Sequence, residues 1–431
     1  MLGGLLNSYK IDDLRNRIIF LFIAFAVFIL SIHITVPGVN LAVWQELLKR
    51  GQLLNFLGMF TGGALNNFSI TAMGITPYIN ASIIMSLLPE VFPALKEMSK
   101  EGGEMGRRKI GQITRYLTIG LALFQATMMT VGLQKLNVFS TTSIGYFLVV
   151  ILSLTAGTAL LMWLGEMMTD KGIGNGVSML IFAGIVLRYP NYMIETLNIT
   201  QSRWRHEGIA VLMGLLLFVA ISVALIAAII IINQGLRKIP VQYAKRVIGR
   251  RVMGGQSTYI PMKINNAGVI SIIFAISVLY FPITILEFLP EAMKQTPVIA
   301  MVSGWFRPSS IVYNLAYAGL VIFFTYFYSY IQYYNQAIPE NLKKYGGFIP
   351  GIRPGKPTAE YLERILSRVT FISAIFLAAL AVLPSFMMQL TNVTSFYLGS
   401  TSLLIIVGVV LDTMQQIEAR LVMRQYQGFI K

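Results

Sequence analysis

Ten stretches of this chain are apolar over lengths suited to crossing the roughly 30 Å hydrocarbon core of a bilayer. They lie near 17–36, 74–90, 112–133, 145–168, 173–189, 207–233, 267–286, 308–333, 365–385 and 395–416. Runs of this length and number predict an all-α polytopic membrane protein. Composition agrees: 55% of the 431 residues are hydrophobic and 12% are charged, against roughly 25% charged in soluble domains. The first stretch follows Arg15 and Arg17 with no small-residue cleavage site, so it reads as a retained span.

One region breaks the pattern. From Leu53 the chain begins as an amphipathic helix, with Leu54, Phe56, Leu57 and Phe60 apolar. It is interrupted at Gly62-Gly63, passes Asn66, Asn67 and Ser69, and turns apolar again from Ile75. Non-helical backbone at membrane depth survives only where protein buries it or where it lines a water-filled cavity. Pattern alone leaves two readings: a surface helix and loop before an ordinary span, or part of a pathway through the protein. The fifth stretch opens with Gly172-Ile-Gly-Asn-Gly176 and is expected to start unwound or tightly packed.

Charge sets an orientation. With the N-terminus in the cytoplasm and the ten stretches alternating, 26 of the 34 Lys and Arg fall on the cytoplasmic side, as the positive-inside rule requires. Seven of them (Arg237, Lys238, Lys245, Arg246, Arg250, Arg251 and Lys263) share the acid-free loop 234–266. Its flanks, Ile239–Tyr243 and Ser257–Met262, read as two β-rich arms around a basic tip. A second loop, 335–363, carries Lys343, Lys344, Arg353 and Lys356 among glycines and prolines. Two basic loops on one face predict a docking platform, because arginine forks pair well with phosphate and carboxylate.

Several chemistries are disfavoured. The chain has no cysteine and only two histidines, His33 and His206, far apart in sequence. Thiol catalysis, thiolate metal sites and His-based triads therefore have no candidates, and neither a metal nor a cofactor is expected. GIRPGKPT lacks the phosphate loop's first glycine, because Pro350 stands there, and Pro357 replaces its Ser/Thr. GIGNG follows no strand, so it is not a dinucleotide fingerprint. Glu166 and Asp412 lie toward the ends of their stretches. An ion-coupled transporter usually needs an ionisable relay near the midplane. A small-solute transporter stays as the alternative reading. An intramembrane enzyme has no catalytic pair within the stretches.

The longer motifs carry a resemblance. They are MFTGGALNNFSITAMGITPYINASIIMSLL (59–88), EGGEMGRRKIGQITRY (101–116), LMWLGEMMTDKGIGNGVSMLIFAGI (161–185), YAKRVIGRR with GGQSTYIPMKINNAGVI (243–270), ENLKKYGGFIPGIRPGKPTAEYLERILSR (340–368) and GSTSLLIIVGVVLD (399–412). In order and spacing this chain resembles the SecY family, the central subunits of bacterial protein-conducting channels. The resemblance implies ten spans in two pseudo-symmetric halves of five, arranged as a clamshell, here 1–190 and 191–431. It implies a passive channel that passes unfolded secretory chains and releases transmembrane segments sideways into lipid. It also implies SecE and SecG as companion subunits, SecA or a translating ribosome on the docking loops, signal peptides and nascent chains as cargo, and a bacterial plasma membrane location with both termini cytoplasmic.

Site residues follow from the same resemblance. A pore ring falls on Ile75, Ile79, Ile181, Ile273 and Ile405. A short plug helix falls on about 55–67, with Asn55, Phe60, Asn66 and Asn67 in it and Gly62 and Gly63 as its hinge. The lateral gate, between the second and third and the seventh and eighth spans, includes Asn80 and Phe281. Arg246, Arg250, Arg251 and Arg353 fall on the SecA or ribosome docking surface. The residues themselves add physical support. Ile75 and Ile79 are spaced i, i+4 and share a helix face, and branched isoleucine is stiff enough for a close-fitting collar. An apolar constriction gates by dewetting. Ser271 stands where many relatives have proline, which predicts a straighter seventh span.

Overall fold

The computed structural model describes residues 12–50, 61–100, 103–134, 138–141, 143–243, 246–248, 251–253, 257–287, 296–306, 310–336, 338–391 and 400–428. Among these, eight helices are long and apolar enough to cross a membrane. They are α1 (Asp12–His33), α5 (Gly103–Leu133), α6 (Ile144–Lys171), α7 (Gly176–Glu207), α8 (Ile209–Gln234), α11 (Ile311–Gln336), α13 (Lys356–Thr391) and α14 (Ser400–Gly428). Two more occupy the second and seventh predicted stretches but are shorter. Helix α3 (Thr76–Val91) has 16 residues and α9 (Ile270–Glu287) has 18. At 1.5 Å per residue α3 rises about 24 Å, less than the bilayer core. Short helices α2 (Leu41–Arg50), α4 (Pro93–Lys100), α10 (Pro297–Trp305) and α12 (Ile338–Lys344) lie in the connections.

The packing pattern repeats. In the first five long elements, α1 meets α6 and α7, α3 meets α5, α5 meets α6, and α6 meets α7. In the second five, α8 meets α13 and α14, α9 meets α11, α11 meets α13, and α13 meets α14. Element for element these neighbours correspond, so the two halves share one arrangement, with an added α3–α6 contact in the first. The halves touch where α3 meets α9, where α7 meets α14, and across the α7–α8 connection. Helix α7 continues through Pro190 to Glu207, so the division expected at 190 falls inside it; the chain turns at Gly208, φ +52°.

Each short helix is preceded by irregular backbone, and the two approaches come from opposite ends of the bundle. Residues 61–75 form successive turns at the end that carries α2, and 264–269 bend inward from the end that carries the β-sheet. The described part of the expected plug helix is therefore not helical. Gly62, Gly63 and Gly74 have φ of +67°, +93° and +61°, and Phe68 has φ +43°. A right-handed helix cannot run through those values. Asn55 and Phe60 lie outside the described residues.

Three apolar clusters organise the molecule. A central one draws on both halves. A second joins α2, the 64–72 turns and the α5–α6 ends through Trp44, Leu65, Phe68, Leu133, Phe139 and Leu154. The third fixes the sheet to α11 and α13 through Ile239, Val241, Tyr333, Ile349, Leu362 and Leu366. Facing outward, α8 exposes Ile209, Leu216, Val223 and Ile231. Exposed apolar surface of that extent suits lipid rather than water.

The sheet is the main addition to the sequence reading. Strand β1 (Leu236–Tyr243) pairs antiparallel with β4 (Ser257–Lys263), as the two arms predict, with Ile239 opposite Ile260. Between them, β2 (Arg246–Ile248) and β3 (Arg251–Met253) make a small hairpin. The free edge of β1 is taken by β5 (Gly347–Phe348) from the other basic loop, giving the order β4-β1-β5. The two loops are one platform.

Close helix approach sets a test. Gly157 on α6 lies against the turn backbone: an added β-carbon would overlap the Ile70 carbonyl and come within 3.0 Å of Thr71 N. Overpacking of this kind costs about 1–3 kcal/mol or more. Gly157→Val is expected to lower the monodisperse fraction in size-exclusion chromatography of detergent extracts, while Gly120→Val, which meets nothing within 4 Å, leaves it unchanged.

Candidate functional site

The five isoleucines come from four elements of both halves. Ile75 is the N-cap of α3 and Ile79 sits one turn in. Ile273 lies in the first turn of α9, Ile181 in α7 and Ile405 in α14. All are buried, from 0% exposed for Ile405 to 8% for Ile273, and all belong to the central apolar cluster. Their positions explain the short helices. Both α3 and α9 begin near this level, each entered by irregular backbone from its own end.

On the sheet end, a cavity of about 460 Å³ abuts the isoleucine cluster. Its wall includes Val269, Ile270, Gly408 and Val409, each within one turn of Ile273 or Ile405. Farther out the lining is rich in uncharged amides: Asn175, Asn233, Asn265, Gln332, Gln415 and Gln416. Several are fixed by hydrogen bonds. Asn265 Nδ2 donates to Asn233 Oδ1 at 2.6 Å, and its own Oδ1 accepts from Gly268 N at 2.9 Å and Ser373 Oγ at 3.1 Å. Gln416 Oε1 accepts from Gly174 N at 2.9 Å, joining the halves, and Gln415 Oε1 accepts from Lys263 Nζ at 2.9 Å. The irregular stretch 264–269 therefore borders a polar cavity, the setting in which such backbone is stable at depth. The GIGNG start is unwound and tightly packed, as expected. Gly174 has φ +87°, and Asn175 caps α7 by accepting from Val177 N and Ser178 N.

On the opposite end, the 61–75 turns close over the cluster. Gly62 lies between α1 and α7: a β-carbon there would be 3.1 Å from Gly184 Cα and 3.0 Å from Ile32 Cδ1. Its positive φ and this crowding both require glycine. Gly63 is 3.9 Å, by the same measure, from Arg188 Nε. Ile181, Gly184 and Arg188 follow at i, i+3 and i+7, so one face of α7 serves the isoleucine cluster and then the two glycines. Asn66 and Asn67 are half-buried.

Asn80 is 8% exposed on α3, which packs on α9, and its Nδ2 has no hydrogen-bond partner. Phe281 lies on α9, among residues whose side chains are outside the description. Arg246 and Arg251 are placed by their backbone on β2 and β3, and Arg250 lies outside the described residues. Arg353 is exposed at a turn held by Thr358 Oγ1 donating to its carbonyl at 2.8 Å. Of the acids near the cluster, Glu166 pairs with Arg115 at 2.9 Å, and Asp412 lines the cavity. Sequence reading missed the amide lining and Trp44. Trp44 could have been singled out as the lone aromatic of the amphipathic decamer LAVWQELLKR.

Comparison with known proteins is consistent with this geometry. A family model described as SecY matches residues 69–414. The protein translocase subunit SecY of Thermotoga maritima is 46% identical over 436 residues, covering 99% of this chain and 97% of that protein. Among solved structures, a protein-conducting channel gives a TM-score of 0.62 at 18% identity, covering 93% of this chain and 91% of the other. Sec61 in the canine ribosome–channel complex from the endoplasmic reticulum gives 0.58 at 17% identity, over 93% and 91% of the two chains. At those identities the two structures bear on the fold alone.

The unpaired Asn80 amide gives a stability test. A buried polar group without a partner costs about 1–3 kcal/mol, and an apolar isostere removes that cost. Asn80→Leu is expected to raise the thermal unfolding midpoint of the purified protein.

Proposed function

This chain belongs to the SecY family, and from that premise we propose that it conducts unfolded polypeptides across a membrane and releases apolar segments sideways into lipid. The observation that carries the reading is the buried isoleucine cluster between an amide-lined cavity and the glycine-hinged turns. A collar of stiff, branched side chains excludes water and ions at rest, and a chain of varied side chains can push through it. The cavity offers an entering chain hydrogen-bonding groups without net charge, which suits cargo of any sequence. Glu166 is ion-paired away from the centre, and the family comparisons support the channel over a small-solute transporter.

The finer assignments are part of the proposal. Ile75, Ile79, Ile181, Ile273 and Ile405 form the seal. The turns at Gly62 and Gly63, with the chain before them, form the plug. The α3–α9 contact, with Asn80 and Phe281, is the front seam that opens. The sheet end faces the cytoplasm in a bacterial plasma membrane, as the Lys and Arg bias supports. The platform built from both basic loops suits a translating ribosome, whose rRNA phosphates would meet its arginines, or the motor SecA. SecE and SecG complete the complex. The chain is passive, and the docked partner supplies the energy.

The seal assignment has a direct test. Ile79→Ser with Ile273→Ser places two hydroxyls in the collar and favours its wetting. Planar-bilayer recordings of the reconstituted complex are expected to show steady ion conductance in the double variant and none in the native protein. An equally tight double variant would contradict it.

A further inference from the structure

Trp44 lies at the centre of a small core on the Trp44 end of the molecule, away from the isoleucines. It is 0% exposed, and its indole Nε1–H donates to the Leu65 carbonyl at 2.6 Å. Its ring meets Phe68 edge-on, with centroids 4.9 Å apart at 88°. Phe68 is also 0% exposed and carries the left-handed φ of +43°. Its far side meets Phe139 edge-on at 6.0 Å. A left-handed backbone at a bulky aromatic is costly and persists only where the surroundings determine it.

The chain around Phe68 is also stitched to the α1–α2 link. Val36 N donates to Phe68 O at 3.0 Å and Ile70 N donates to Ile34 O at 2.9 Å, making an antiparallel bridge between Thr35 and Ser69. Ser69 Oγ bonds Thr71 Oγ1 at 3.0 Å, and Thr71 Oγ1 donates to Ser31 O at 3.4 Å. Every residue from Leu65 to Ala72 is therefore in contact with, or within a few positions of, a fixed partner. The residues just before it are tied to the same turns: Leu65 N donates to Thr61 Oγ1 at 3.3 Å, Ala64 N donates to Thr61 O at 3.1 Å, and Gly62 lies against Ile32 and Gly184.

We propose that Trp44 is a positioning residue for the seal: it clamps residues 64–72 as an immobile anchor. The anchor delivers Ile75 to the collar, since only Met73 and Gly74 separate it from the clamped turns. This rests on the channel reading above. Asn66 and Asn67, expected in the plug, belong to the anchored part.

The test uses the assembled complex in proteoliposomes, with ion leak and polypeptide transport measured in parallel. Trp44→Phe keeps an aromatic edge against Phe68 but removes the donor to Leu65. Leak is expected to rise about five-fold, the scale set by loss of one buried hydrogen bond. Thr35→Cys with Ser69→Cys, in a chain that has no cysteine, puts thiols at a non-hydrogen-bonded antiparallel pair. Their Cα atoms are then about 4.5 Å apart, within disulfide reach. Oxidation is expected to restore tightness to the Trp44→Phe protein and to leave transport at its reduced-state rate. Rescue of the leak by a cross-link at the Thr35–Ser69 bridge, which re-anchors the same segment without the indole, separates positioning from general misfolding. Arrest of transport by that disulfide would overturn the proposal, because the anchor would then have to move. A tight Trp44→Phe channel beside a leaking Ile79→Ser channel would overturn it and leave the channel reading intact. If Ile79→Ser is tight as well, the channel reading fails and the anchor proposal with it.

Discussion

Backbone amides and carbonyls cannot sit unpaired in hydrocarbon, where each unsatisfied group costs several kcal/mol. Among the described residues, irregular backbone leads into each of the two short helices, at 61–75 and at 264–269. Much of the rest follows from accommodating those two segments. The first is closed by its own turn hydrogen bonds and by Trp44 and the α1–α2 link. The second borders an amide-lined cavity and ties its polar groups to Asn265. Because each takes up part of the bundle's depth, the helix after it is short. The two short helices stand second in their halves and face each other. Paired interruptions in corresponding positions of two repeats are the usual mark of a pathway.

Local chemistry then divides the labour along that pathway. Amides, with Lys263 and Asp412, line the cavity at the sheet end, branched apolar side chains fill the middle, and glycine-containing turns close the other end. A closed apolar collar needs no specific bond to hold back water. It does need its members held at one level by rigid supports. Ile79 and Ile273 are set by the starts of α3 and α9, and Ile181 and Ile405 by α7 and α14, which pack on each other. The α7–α14 contact and the short α7–α8 turn at Gly208 join the halves on one side. The α3–α9 contact, with an unpaired buried amide at Asn80, joins them on the other.

Much of this was legible in the sequence, and the exceptions have physical causes. The apolar stretches gave the helices because hydrocarbon-length runs have few alternatives. The β-arms were readable from alternation, and Ile239 indeed stands opposite Ile260. The addition of β5 was not readable, because Gln242 pairs with Phe348 more than a hundred residues away. The fifth stretch seemed to end at Tyr189-Pro190, yet the helix carries Pro190 within it, as transmembrane helices tolerate. The expected plug helix failed in its described part because successive glycines and Phe68 adopt left-handed angles; sequence marked the break at Gly62-Gly63 but not the turns that follow. The isoleucines were identifiable only through long motifs, since one isoleucine in an apolar helix looks like any other. Trp44 bonds a carbonyl 21 positions away, a link that periodicity cannot reveal.

The account stands most directly on the α3–α9 seam being the face that opens. Asn80→Cys with Phe281→Cys puts the chain's only thiols on the two facing helices. Bridging them with a short bifunctional thiol reagent, then following transport in vesicles, reads the seam itself. The account predicts that bridging stops transport and that a cleavable bridge, once cut, restores it. Transport at the native rate through a fully bridged chain would contradict it.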